Sequence, residues 1–234
     1  PLVLLPASPH SGLYFETVMP HLAGDFLVIA PDYPGYGGSD ALPGKASIEG
    51  YARSLEPFIR SLGGAYLVGF HTGNLVALEL GLICPNLVKS TIMIDVPFFE
   101  AAKRDELNIK MGQTAKLPSN ISELGAAFEA NVTKRIQDLG HQRAYDIWTE
   151  SLRAGTGRNA AFGAAFAYDC EAKLSVLVLP VHLIATQSGL LDLTRKAADV
   201  LPNANLAERL DIEGSVFDKY AARTAQEIIR AARL

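Results

Sequence analysis

Residues 65–80 read A-Y-L-V-G-F-H-T-G-N-L-V-A-L-E-L. Ala65 to Val68 is a short apolar run with the character of a strand, and Asn74 to Leu80 opens an apolar helix. Between them lies G-F-H-T-G, Gly69 to Gly73. A strand that turns into a helix through G-x-X-x-G has the architecture of a nucleophile elbow. Such a turn holds its middle residue in a strained conformation and projects that side chain outward. The glycines serve where strand and helix approach too closely for a Cβ. Here the middle residue is His71. An imidazole titrates near neutral pH, so it can act as general acid, general base or nucleophile. The opposite reading is an elbow that has lost a working nucleophile, and both readings stay open.

The elements that must hold this turn lie on both sides of it. Pro1 to Leu5 is a continuous apolar run, as in a strand buried on both faces. Pro6 to Gly12 is a loop by composition. Leu13 to Leu22 has helical spacing with Pro20 near its end, and Phe26 to Ala30 reads as a second strand. Pro31 to Asp40 is a dense turn. Ile48 to Leu62 carries an apolar stripe at 48, 51, 55, 58, 59 and 62, and Gly63-Gly64 closes that helix. Val88 to Val96 is the next strand and ends near Asp95. From Pro97 to about Lys173 no strand is expected. Ile121 to Leu139, Gln142 to Leu152 and Asn159 to Tyr168 have helical patterns. Leu177 to Ala185 returns to a strand, Leu191 to Val200 to a helix, Leu206 to Ile212 to a last strand and Ala221 to Leu234 to a closing helix. This alternation predicts an α/β fold, a mostly parallel sheet with helices on both faces. Ligands should sit at the carboxyl ends of the strands. Residues 1–96 and 174–234 would form this core, and residues 97–173 an inserted helical cap.

The stretches L-V-L-L-P-A-S-P-H-S-G, V-I-A-P-D-Y-P-G-Y-G-G-S-D, Y-L-V-G-F-H-T-G-N-L-V-A-L-E-L, P-V-H-L-I-A and V-L-P-N-A-N together resemble the α/β-hydrolase fold superfamily in its capped form. The resemblance covers nearly the whole chain outside the cap. It puts His71 at the place of the nucleophile. It implies that the backbone amides of Ser8 and Thr72 form an oxyanion hole. The family's His-Gly pair maps to Pro6 and Ala7. Its acid falls within Thr186 to Gly189, where no carboxylate stands, and its histidine falls at Ser215 or Val216. A Ser–His–Asp triad therefore cannot be assembled by the usual route. Asp192 is near the acid position but reads as a helix cap. The turn Asp32 to Asp40 is given a structural role only, its polar side chains satisfying loop amides.

Two further residues are candidates beside His71. His10, in the loop after the first strand, is either a second acid/base across the pocket or a solvent-exposed loop histidine. Asp95 either orients His71 or caps the turn before Pro97. His182 reads as strand core, and His21 and His141 as surface residues. The histidines and carboxylates lack short metal-ligand spacing, so neither metal nor cofactor is expected. Phe98, Phe99, Phe128, Trp148, Phe162, Phe166 and Tyr168 read mostly as packing, with a few lining an apolar pocket under the cap.

Bulk properties limit the remaining classes. The 234 residues suffice for one large domain with an insertion. A net charge of −4 without a basic stripe leaves nucleic acid no electrostatic footprint. No apolar run approaches the ~20 residues that span a bilayer. The chain opens in a strand without a signal-peptide pattern, and Cys84 and Cys170 have neither metal nor redox spacing. A cytoplasmic protein with free thiols is expected. Its expected partner is a small apolar substrate or ligand, with no nucleic acid and no membrane, and a homodimer stays open. The expected function is a hydrolase-like enzyme acting on a small apolar ester, lactone or related carbonyl compound. Its site would comprise His71, Asp95 and His10 with the amides of Ser8 and Thr72. The alternative is an inactive homologue that binds a hydrophobic small molecule or a protein partner.

Overall fold

The computed structural model of the protein describes residues 1–234. Strands β1 (Leu2–Leu5), β2 (Val28–Ile29), β3 (Ala65–Phe70), β4 (Val88–Ile94), β5 (Val181–Gln187) and β6 (Ala204–Glu213) form one sheet. Its order is β2-β1-β3-β4-β5-β6, and every neighbouring pair is parallel. The chain winds outward from β1 in both directions, so a crevice opens at the carboxyl ends of β1 and β3. This parallel α/β architecture is the one expected from the alternation of strands and helices, and it fits the α/β-hydrolase fold that the resemblance implies.

Both faces of the sheet are covered, which is why its strands read as continuous apolar runs. Val3 and Leu5 enter one core with helices α2 (Ile48–Ser61) and α3 (Thr72–Ile83), through Ile48, Tyr51, Leu55, Leu75 and Leu78. Leu2 and Leu4 enter the opposite core with helices α1 (Met19–Leu22) and α11 (Ala221–Ala232), through Leu22, Ala225 and Ile228. Ser47 caps α2 by accepting a hydrogen bond from the Gly50 amide at 3.0 Å.

Between β4 and β5 lie α4 (Ala101–Met111), α5 (Ile121–Phe128), α6 (Lys134–Leu139), α7 (His141–Arg153), α8 (Ala160–Ala167) and α9 (Cys170–Leu174); α10 (Leu191–Val200) connects β5 to β6. Three polar ties hold this helical segment on the sheet. Arg143 of α7 donates to Asp218, Glu16 and the carbonyls of Leu13 and Tyr14 at 2.8 to 3.1 Å. Tyr168 and Lys173 converge on the buried Glu79 of α3 at 2.8 and 3.0 Å. The Tyr36 hydroxyl donates to the Arg158 carbonyl and accepts from the Ala161 amide. No helix is long and apolar enough to cross a membrane.

Several boundaries differ from the sequence reading. Leu13 to Leu22 is not one helix: a 3-10 turn spans Gly12–Phe15, and α1 starts only at Met19. Pro20 sits in the first turn of α1, where its missing N–H costs nothing, so it opens a helix rather than ending one. The strand expected at Phe26 to Ala30 pairs only over Val28–Ile29. β5 begins at Val181, after Pro180, and Val176 and Val178 upstream are exposed. Helix α4 was not expected, because it buries no residue and so shows no apolar stripe.

The Pro31 to Asp40 turn has its structural role from one side chain. Asp32 accepts from the amides of Gly12 and Gly38, both at 2.8 Å, and its carbonyl accepts from Ser39 Oγ. It thereby ties the loop after β1 to the loop after β2. Asp32→Ala leaves two amides without their charged acceptor. The expected loss is about 2–3 kcal/mol in urea unfolding, with the slope unchanged.

Candidate active site

His71 stands between β3 and α3 with φ 47° and ψ −111°, a left-handed conformation for a residue with a Cβ. This strain is on the order of 1–3 kcal/mol and must be imposed by the surroundings. Gly69 and Gly73 show how. A Cβ on Gly69 would lie 2.6 Å from the Asn74 backbone nitrogen, and one on Gly73 would lie 1.9 Å from the Leu5 carbonyl oxygen. Asn74 then staples the elbow to β4. Its Nδ2 donates to the Ile94 carbonyl at 2.8 Å, and its Oδ1 accepts from the Ile94 amide at 3.1 Å. Thr72, the first residue of α3, has an amide with no intrahelical acceptor.

The carboxyl ends of the strands surround a cavity of about 480 Å³. His71, His10, Asp95 and Ser8 all line it. Thr72 is buried directly behind His71. The loop histidine is partly exposed and faces this cavity. His10 stacks on Tyr14 at 4.4 Å with the rings 8° apart, Tyr14 stacks on Phe70 at 5.9 Å, and Phe70 meets His71 at 3.9 Å. A continuous aromatic stack joins the two imidazoles.

Asp95 does not orient His71 through a hydrogen bond. Its carboxylate accepts from the Thr186 amide at 2.9 Å and from Thr186 Oγ1 at 2.6 Å. It is 1% exposed, and burial pushes its pKa up despite those bonds. Its own backbone is left-handed, with φ 51°. The structure thus places Asp95 at the cavity but commits it to β5. Where the resemblance puts the family histidine, Val216 lines the cavity and Ser215 Oγ turns to Asp138 at 3.2 Å. Ser188, from the segment where the family acid falls and which holds no carboxylate here, also lines it.

Of the cap aromatics, which read mostly as packing with a few lining a pocket, Phe162 alone lines the cavity. Phe128 and Trp148 pack against each other, Phe98 joins the sheet core, and Tyr168 is spent on Glu79. In their place the helical segment contributes Asn131, Arg135, Ser151 and Arg158. These four were missed because their approach to one cavity depends on how a π-turn (Glu129–Thr133) and a 3-10 turn (Gly155–Asn159) are set on the sheet. One signal was present: Arg158 has no acidic residue within four positions. His182 is buried in β5, and His21 and His141 are exposed.

Electrostatically the site keeps both imidazoles neutral. Burial lowers the pKa of His71 to about 4. Burial first, then the positive charges of Arg135, Arg143 and Arg158, with repulsion from His71 wherever that ring is protonated, lower that of His10 to about 3. In the unfolded chain both titrate near 6.5. Below that pH the unfolded chain binds protons that the folded one refuses. Stability is therefore full above about pH 6.5 and is lost as pH falls through about 4 for His71 and about 3 for His10, by on the order of 3 kcal/mol per histidine at about pH 4. Thermal melting of a His10→Gln/His71→Gln variant should show a visibly shallower fall between pH 6.5 and 4 than that of the parent.

The family model for the alpha/beta hydrolase fold matches residues 1–182. The candidate carbamate hydrolase RutD of Pseudomonas syringae pv. syringae (strain B728a) is 30% identical over 220 residues, covering 88% of this chain and 83% of that protein. The 2-(acetamidomethylene)succinate hydrolase of Mesorhizobium japonicum is 31% identical over 115 residues, 48% of this chain and 41% of its own length. Among solved structures, MenH from S. aureus superposes with a TM-score of 0.81 at 14% identity, over 99% of this chain and 92% of that one. With the family model matching residues 1–182 and a relative 30% identical over most of both lengths, this chain belongs to the α/β hydrolase fold family.

Proposed function

We propose that the protein is an enzyme that hydrolyses a small ester, lactone or related carbonyl compound in the cavity beneath a cap formed by residues 97–173. His71 supplies the lone pair, either to the carbonyl carbon or to the attacking water. The amides of Ser8 and Thr72 receive the oxygen as it gains charge. His10 lies across the cavity as a neutral donor or acceptor. Asp95, at the end of β4, supports the site through Thr186 of β5. The observation that carries this reading is the strained elbow: His71 remains in a left-handed conformation, held by two glycines and Asn74, with its ring open to the cavity. A neutral imidazole is fully available as a lone-pair donor at pH 7. The relatives named as hydrolases add support for hydrolytic chemistry. The lining offers less apolar surface than a purely hydrophobic substrate would use, so apolarity of the substrate is not part of the proposal.

One observation favours the second reading, a member that binds a small molecule without turning it over. Asp95 is engaged by Thr186, and no imidazole stands at Ser215 or Val216 to assist His71. A panel of p-nitrophenyl esters and lactones separates the two. Turnover by the parent that disappears in His71→Ala supports the enzyme. Ligand binding without turnover of any member of the panel supports the second reading.

A further inference from the structure

We propose that Arg135 and Arg158 form a carboxylate-binding subsite on the helical side of the His71 cavity, so that the natural ligand is a carbonyl compound bearing a carboxylate. The catalytic reading bears only on which end of the ligand meets His71. The subsite itself rests on the pairing of charges around the cavity.

Of the three arginines near the site, one is already spent. Arg143 is paired with Asp218 and Glu16 and also holds two carbonyls. Arg135 and Arg158 take part in no ion pair, although both line the cavity. Both are only partly exposed. Arg158 Nε is fully buried and has no hydrogen-bond acceptor. A buried guanidinium N–H without an acceptor is costly, and a ligand oxygen would relieve that cost. The arrangement is also held in place. The Arg158 carbonyl accepts from the Tyr36 hydroxyl at 3.2 Å, which fixes the 3-10 turn that carries it. Arg135 follows the π-turn Glu129–Thr133, one helical turn beyond Asn131, and Asn131 lines the same cavity while its Nδ2 donates to the Ala127 carbonyl at 2.8 Å.

The charge count around the cavity points the same way. Its lining has two guanidinium groups and two neutral imidazoles against one carboxylate, Asp95. Asp95 is occupied by Thr186. A positive cavity inside a chain of net charge −4 is a site shaped for an anion. Guanidinium groups suit the two-oxygen geometry of a carboxylate. A carboxylate on the helical side would leave the rest of a small ligand to reach His71 across the cavity. Its negative charge would also compensate the positive charge that His71 gains when its lone pair is used.

Calorimetric titration of the full chain at low ionic strength tests the subsite without reference to turnover. The probes are succinate and its neutral diamide, succinamide. Succinate is expected to bind at least about 10-fold more tightly than succinamide. Arg135→Gln and Arg158→Gln should each weaken succinate about 10-fold or more, and the double variant should abolish the preference. Equal affinity of the parent for the two probes overturns the proposal whether or not the variants fold. So does a folded double variant that still prefers succinate. Mono-p-nitrophenyl succinate and p-nitrophenyl acetate then separate this proposal from the catalytic one. Turnover of both esters with no preference for the charged one overturns the subsite and leaves His71 in place. Succinate binding without turnover of either ester supports the subsite and removes the catalytic role.

Discussion

Replacing His71 by alanine is expected to lower kcat/KM on an activated ester by about 10³-fold, while ligand affinity changes by less than about 10-fold. The reason lies in the geometry of the elbow. His71 lines the cavity from a left-handed turn at the end of β3, between two positions where only glycine fits. Alanine keeps the turn, the Thr72 amide and the arginines, and removes only the lone pair. The loss should therefore fall on kcat, with KM nearly unchanged. A companion variant separates chemistry from packing. His71→Gly relieves strain on the order of 1–3 kcal/mol and costs about 1 kcal/mol of chain entropy. It should melt at or slightly above the parent temperature while being as inactive as His71→Ala. Residual turnover within about threefold of the parent in either variant would assign the chemistry to another group, with His10 the first to examine.

The second large effect belongs to Gly73. Its Cβ would fall 1.9 Å from the Leu5 carbonyl oxygen and 2.6 Å from the carbonyl carbon, and neither is a flexible side-chain end. Gly73→Ala must push α3 and the end of β1 apart. The expected cost is about 3 kcal/mol or more in urea unfolding. The displacement also separates the amide of Thr72 from that of Ser8, so turnover should drop even in the folded fraction. Gly125→Ala is the control. Gly125 lies in α5 with no atom within 4 Å of its Cβ position, so alanine there should be neutral or stabilising by up to about 1 kcal/mol. A Gly73→Ala protein as stable and as active as the Gly125→Ala protein would contradict the tight elbow.

Particular residues show how far the sequence could be read. G-F-H-T-G was legible as a turn because two glycines at fixed spacing between a strand pattern and a helix pattern report a local steric demand. Asp32 was legible as a structural residue because the turn around it is rich in glycine and proline, and its amides need an acceptor. α10 matched its apolar stripe from Leu191 to Val200. α4 did not, because a helix that buries nothing has no periodicity to display. Asp95 illustrates a different limit. Its place at the end of β4 was readable, but the direction of its carboxylate depends on Thr186, 91 residues away. Arg135 and Arg158 lie beyond the same limit. Their significance is that no acid reaches them in the folded chain, a property of three-dimensional pairing and of no local pattern. The aromatic residues read mostly as packing, and they do pack with one another, with Phe162 the one that also lines the cavity.

The most direct test of His71 as the reacting group is a crystal structure of the protein with a small trifluoromethyl ketone, whose carbonyl adds nucleophiles without being cleaved. The account predicts the ketone carbon within about 3.5 Å of a His71 ring nitrogen, or of one water held by it. Its oxygen should lie within about 3 Å of the Ser8 and Thr72 amides. A ketone seated in the cavity with its carbonyl turned away from His71 and from both amides would contradict it.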